Sequence, residues 1–168
     1  MRSSPLIVVS FVLAFTLGSC ERIELDDRSG MGSPSRTPAR ITHVIDGDTV
    51  RAIVDGDEVT IRLIGIDTPE TDGPFTDLEC YGEEATDYTR DRLDDQQIGL
   101  EFDVERIDRY DRMLAYLWLG DELMNESILA QGAGVLLTIP PNVAHVERFE
   151  DAQRAAREDE RGLWGACP

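Results

Sequence analysis

The stretch ITHVIDGDTVRAIVDGDEVTIRLIGIDTPET, from Ile41 to Thr71, decides the fold. Apolar and polar residues alternate through Ile41–Val54 and again through Asp57–Ile66, the period-two signature of strands buried on one face. The turn DGD at Asp55 to Asp57 joins the two runs, and such a turn between alternating runs is a hairpin signal. The second run ends in a knot of acid, hydroxyl and proline: Asp67, Thr68, Pro69 and Glu70. Residues 62, 64 and 66 of an extended strand share a face, so Arg62 is expected to point into a cleft closed by Asp67 at the strand's end.

Downstream, CYGEEATDYTRDRL (80–93) puts Ala85, Tyr88 and Arg92 or Leu93 on one helical face, and IGLEFDVERI (98–107) alternates again. RMLAYLWL (112–119) reads as a further strand, with a turn at Gly120 and Asp121. ELMNESILAQG (122–132) reads as a helix stopped by Gly132, AGVLLTI (133–139) as a last short strand, and AHVERFEDAQRAAREDERG (144–162) as a closing helix with Val146, Phe149 and Ala156 inward. Strands with helices inserted late predict an α+β chain built on a five-stranded Greek-key β-barrel of OB-fold shape, with three helices. A length of 168 residues holds one such domain, set at 41–168.

The N-terminus reads differently. Arg2, an apolar run and the small-residue end LGSC form an export leader over residues 1–19 that is too short to span a bilayer comfortably. LGSC resembles the lipobox of bacterial-type lipoproteins, in which the cysteine, here Cys20, is lipidated and anchors the chain to a membrane facing outside the cytoplasm; plain cleavage and secretion is the other outcome. The segment to Arg40 is polar, rich in Gly, Ser and Pro, and reads as a disordered linker. That leaves Cys80 and Cys167 in the folded part, an even pair in an exported chain; a disulfide is expected, against two separate buried thiols.

The formal charge is −18, and −19 once Arg2 leaves with the leader; all sixteen basic residues are arginine. An acidic, lysine-free surface fits a protein kept soluble in concentrated salt, where self-repulsion is screened, and so a halophilic source; a high-GC genome with an acidic bias gives the same composition.

Asp-Gly in IDGDT and Asp-Thr-Pro in DTPE are, taken singly, ordinary turn chemistry. Their conjunction says more. Within about 65 residues the chain offers Asp48, Arg62, Asp67, Thr68, Glu70 and Arg112 on strands or at their ends. Hard carboxylate and carbonyl oxygens suit Ca²⁺, and planar guanidinium forks suit phosphate oxygens.

VIDGDTV, IRLIGIDTPET, YGEEA, DRYDRMLAY, MNESILAQG and GLW together resemble the staphylococcal nuclease family, in the family's order, from about Ile41 to Trp164. The resemblance implies a Ca²⁺-dependent phosphodiesterase acting on DNA and RNA with little sequence preference, in-line attack by water, and 3′-phosphate products; the chain is expected to be a monomer. Position by position it implies Asp48 and Asp67 as calcium carboxylates and Thr68 as a ligand through its carbonyl. Glu70 matches the acid that orients or deprotonates the attacking water, Arg62 and Arg112 the two phosphate-clamping arginines, and Tyr110 the tyrosine near the nucleotide's phosphate. The chain departs from the family at Leu137 and Ile139, where base-stacking tyrosines are expected, and at Asp111, in place of a glycine. His43 and His145 read as surface or packing residues, Trp118 and Trp164 as core or lid. The Pro140-Pro141 pair beside the cleft is a candidate for a cis bond. The alternative function is a non-catalytic OB-fold module that binds nucleic acid or protein; every acid and both arginines of the catalytic set are nevertheless present.

Overall fold

The computed structural model describes residues 35–71 and 78–168. The leader over 1–19, the lipidation at Cys20 and most of the linker lie outside the described residues. Strand β1 spans Thr37–Val44, so regular structure starts before Ile41, where the sequence reading set the start of the domain: Ala39 is already buried and pairs with Val54. The reason is local, because Pro38 and Ala39 continue the inward and outward alternation of the strand that follows.

β2 (Thr49–Val54) and β3 (Asp57–Leu63) pair antiparallel through a two-residue turn in which Asp55 and Gly56 both take positive φ, 52° and 97°. Positive φ at both positions matches the twist of the flanking strands, and Asp-Gly is the pair that tolerates it. β5 (Gln97–Glu101) and β6 (Met113–Leu119) complete the barrel in the order β3-β2-β1-β5-β6. A parallel pairing of Ile61–Leu63 with Met113–Ala115 closes it. Two-residue pieces decorate this frame: β4 (Ile66–Asp67) pairs with β8 (Val135–Leu136), and β7 (Glu122–Leu123) extends β6. The result is a closed five-stranded OB-fold barrel with three main helices, α1 (Gly82–Leu93), α2 (Met124–Gln131) and α3 (Val146–Glu158), and a short α4 (Leu163–Ala166).

The core is the barrel interior and its junction with the helices. Ile41, Val50, Ala52, Ile61, Leu63, Leu100, Ala115 and Leu117 fill the barrel, while Ile66, Ile128, Leu129 and Phe149 seal α2 and α3 against it. In α1, Ala85 and Leu93 face inward with Tyr88 half-buried; in α3, Phe149 and Ala156 do so, with Val146 half-buried. The alternation of IGLEFDVERI does not continue as strand beyond Glu101. There the Asp103 carboxylate accepts the N–H groups of Val104 and Ala144 and the Tyr116 hydroxyl, so local side-chain bonds replace the ladder, and Val104 is 73% exposed.

Asn125 is fully buried and joins α2 to two other elements: its Oδ1 accepts the Leu117 N–H at 2.9 Å and its Nδ2 donates to the Ile64 carbonyl at 2.8 Å. Replacing it with Leu keeps the branching and heavy-atom number, at some increase in volume, and removes both bonds. The expected cost is about 2–4 kcal/mol, since a buried donor and a buried acceptor lose this partner together; urea unfolding measures it, and a loss below about 1 kcal/mol contradicts this role.

Candidate active site

Asp48 sits between β2 and the loop before it, and only 5% of it is exposed. Its environment is built by close approach. A Cβ on Gly47 would lie 2.7 Å from the Thr68 hydroxyl, so only glycine lets the Asp46–Asp48 loop touch the end of β4. From the helix side, the buried Thr89 hydroxyl of α1 donates to the Gly47 carbonyl at 2.8 Å and pins the same loop.

Arg62 leaves β3 and fans into this pocket. Its Nε meets Asp48 at 3.0 Å and one terminal nitrogen meets Asp67 at 2.7 Å, while the other donates to the carbonyls of Leu63 and Ile66, each at 2.8 Å. The strand register explains the meeting: Thr49, next to Asp48, lies directly across from Arg62, and Asp67 is reached where the chain turns back after β3. Thr68 donates its N–H to Asp48 at 2.9 Å, and the Thr49 hydroxyl donates to the other Asp48 oxygen at 3.0 Å.

The local field is acidic beyond what one guanidinium offsets. Burial, opposed by Arg62 and reinforced by Asp46, pushes the Asp48 carboxyl up to about 7. Glu70 is also raised, by partial burial first and then by Asp46, Asp67 and Glu79, with Arg62 opposing. Asp46 and Glu79 are the members that sequence reading missed. Asp46 lies in IDGDT, where its sequence context reads as ordinary turn chemistry, although its carboxylate accepts the Asp48 N–H at 3.0 Å.

Among the described residues, no three His, Cys, Asp or Glu side chains converge as a metal site. The donor chemistry still fits a hard cation. Asp48, Asp67 and the Thr68 carbonyl are oxygen donors, the excess negative charge calls for a positive one, and water and substrate oxygens can complete a Ca²⁺ shell of about six to eight.

A groove of about 490 Å³ continues from Arg62 and is lined by Arg109, Tyr110, Arg112, Leu114, Leu137 and Ile139 among others. Arg112 is held by Asp108, which takes its Nε at 2.7 Å and also accepts the backbone N–H groups of Tyr110 and Arg112. These donors, set against partial burial, keep the Asp108 carboxyl below its usual range and ionised. Asp111 takes φ 64°, the left-handed turn that aspartate tolerates in place of glycine. Tyr110 is 64% exposed, with the Arg109 and Arg112 guanidinium carbons 4.7 and 5.4 Å from its ring centre. Leu137 and Ile139 supply apolar surface on the groove without an aromatic face. The peptide bond between Pro140 and Pro141, beyond Ile139, is cis, as the sequence reading expected.

The remaining expected residues are not part of the charged cluster itself. Cys80 and Cys167 are joined by a disulfide. His145 is a packing residue, bonded to Glu101 at 3.0 Å and edge-on to Tyr116. Trp118 is buried between Arg36 and Arg148.

Residues 60–166 match the family model described as staphylococcal nuclease homologue. The chain is 35% identical to a thermonuclease of Staphylococcus hyicus over 159 residues, 95% of this chain and 94% of that one. It is 40% identical to a thermonuclease of Staphylococcus intermedius over 124 residues, 74% of each chain. It is 28% identical to Endonuclease YncB of Bacillus subtilis over 195 aligned positions, 98% of this chain and 92% of that one. Together with the closed OB-fold barrel and its helices, these matches establish that the chain belongs to the staphylococcal nuclease family.

Proposed function

We propose that this protein is an exported, Ca²⁺-dependent endonuclease that hydrolyses DNA and RNA phosphodiesters with little sequence preference. The supporting observation is one constellation: buried Asp48 and exposed Asp67 share the Arg62 guanidinium, Glu70 lies in their field, and a second guanidinium, Arg112, lines the same groove.

Asp48, Asp67 and the Thr68 carbonyl would hold the cation, which when bound neutralises phosphate charge and favours ionisation of water. The residues of the chain do the rest. Arg62 on β3 and Arg112, the residue before β6, approach the groove from paired strands and stabilise the charge that grows on the phosphoryl oxygens as phosphorus crowds toward five-coordination. Glu70 orients the attacking water and takes its proton; partial burial and the acids around it raise its carboxyl, which strengthens it as a base. Tyr110 and the Arg109 beside it meet the neighbouring phosphate. The leaving group is the 5′ oxygen, giving 3′-phosphate ends. With Leu137 and Ile139 in place of stacking aromatics, base contacts contribute less than the ~1–3 kcal/mol of a stacked base, so KM is set by the phosphates.

Glu70→Gln removes the base and keeps the fold. Turnover is expected to fall by about a hundredfold or more while Ca²⁺ affinity changes little. Stopped assays alongside Ca²⁺ titration measure the two; parallel loss of both would make Glu70 chiefly a ligand.

We further propose that residues 1–19 direct export, with Cys20 as the point of lipid attachment to a membrane, that the protein is a monomer, and that the acidic surface is an adaptation to salt. At low ionic strength a net charge near −19 repels a polyanion over about 10 Å, and the folded chain repels itself. The rate is therefore expected to rise with NaCl toward an optimum near 1 M or above, the reverse of a basic nuclease. Initial rates and circular dichroism from dilute buffer to about 3 M NaCl at saturating Ca²⁺ measure this; a steady fall in rate with the fold intact contradicts it.

A further inference from the structure

Glu70 lies on an exposed turn after Pro69, a poor place from which to aim a proton acceptor unless something fixes its backbone. Three contacts fix it. The Glu79 carboxylate accepts the Glu70 N–H at 3.1 Å, and the Glu79 N–H donates to the Glu70 carbonyl at 3.0 Å. Gly82, at the start of α1, packs so closely that a Cβ there would lie 2.2 Å from the Glu70 oxygen. The next residue after Glu79 is Cys80, disulfide-bonded to Cys167. Cys167 follows α4, which is moored to the end of α2 by the Leu163 N–H on the Gly132 carbonyl at 2.8 Å. Asp67, Thr68, Glu79, Cys80 and Cys167 line one small cavity of about 220 Å³, so the bridge and the acidic centre are contiguous. Cys80 is exposed and Cys167 half-buried, within reach of a small thiol.

We propose that Glu79 is a positioning residue for Glu70, that the Cys80–Cys167 disulfide braces it, and that reduction of this bond by a dithiol lowers the rate of phosphodiester hydrolysis. The inference rests on the nuclease reading above. In the step, the dithiol gives two electrons and two protons: the Sγ–Sγ bond breaks, Cys80 and Cys167 each become a thiol, and the reductant leaves as its own disulfide. Released from Cys167, the 79–80 segment loosens, Glu70 loses its two-sided hydrogen bonding, and the water it orients is held less well. The consequence is an enzyme of low activity while its cysteines are reduced, which gains full rate on reaching an oxidising compartment.

The test uses the full chain, oxidised or treated with dithiothreitol, in Ca²⁺ and salt, with kcat, KM and circular dichroism read together. Reduction is expected to lower kcat about tenfold or more with KM and the spectrum unchanged, and reoxidation to restore it. The paired Cys80→Ser, Cys167→Ser variant should sit at the reduced rate and ignore dithiothreitol. Glu79→Ala, with the disulfide intact, should lose a similar factor, and Glu79→Gln, whose amide oxygen still accepts the Glu70 N–H, should recover most of it. Should the reduced protein unfold, the two Glu79 variants decide. A native kcat in folded reduced protein, or in Glu79→Ala, overturns the proposal. An oxidised parent that cuts neither DNA nor RNA overturns the nuclease reading itself, and is told apart from failure of the brace, in which the parent cuts at full rate whatever the state of its cysteines.

Discussion

Arg62→Ala is expected to lower kcat by about a thousandfold or more, with a loss of stability that Arg112→Ala does not share. The two arginines face the same groove and differ in what else they hold. Arg112 is 31% exposed at its side chain and is ion-paired with Asp108, which keeps its backbone donors when the guanidinium goes. Arg62 is 14% exposed and compensates Asp48, itself 8% exposed at the side chain, while also bridging Asp67 and two main-chain carbonyls. Truncating it strips the counter-charge from a buried carboxyl that burial already pushes up to about 7, so Asp48 takes up a proton and Asp67 and two main-chain carbonyls lose their donor; breaking such a buried pair costs up to roughly 3–5 kcal/mol. Transition-state charge is lost in both variants, so both rates collapse; only Arg62→Ala should unfold markedly earlier in urea. Near-native kcat in either variant, measured on folded protein, contradicts the assignment of that arginine to the phosphoryl oxygens.

Removing the disulfide is expected to cost stability on a similar scale. Cys80 and Cys167 are 87 residues apart in sequence, so the bridge closes most of the domain into one loop. The chain-entropy account gives about 4 kcal/mol for such a loop, corresponding to a fall in Tm of roughly 10–15 °C for a domain of this size. Because single domains hold about 5–15 kcal/mol, the variant should remain folded at room temperature, more securely with Ca²⁺ bound to the native state. A Tm within about 3 °C of the parent would mean that the C-terminal segment is held by α4 and its packing rather than by the bridge.

The barrel was largely legible because its strands announce themselves locally. Asp55 and Gly56 specify their own turn, and the alternation on either side fixes which residues go inward. What could not be read is the closure, since the pairing of Ile61–Leu63 with Met113–Ala115 joins segments about fifty residues apart and leaves no local mark. The same holds within the site. Asp48, Arg62, Asp67 and Glu70 stand out as charges at strand ends, whereas Thr89 reveals its part only when α1 is seen to lay its hydroxyl on Gly47. Glu79 lies in a run rich in acids, and only its bonds to Glu70 distinguish it from a solvated surface residue. AGVLLTI promised a longer strand than Val135–Leu136; β8 finds only the two-residue β4 to pair with, and beyond it Leu137 and Ile139 turn toward the groove.

The central claim is a hard-cation phosphodiesterase centred on Asp48, Arg62, Asp67 and Glu70, and the most direct measurement is the initial rate of cleavage of plasmid DNA and of RNA by the purified protein. Rates are taken at about 1 M NaCl across a Ca²⁺ titration, then with a chelator, then with Ca²⁺ restored. Cleavage of both substrates is expected to rise with Ca²⁺ to saturation, vanish with the chelator and return in full, leaving 3′-phosphate ends. A folded protein that cuts neither substrate at saturating Ca²⁺, or that cuts equally well in chelator, would contradict it.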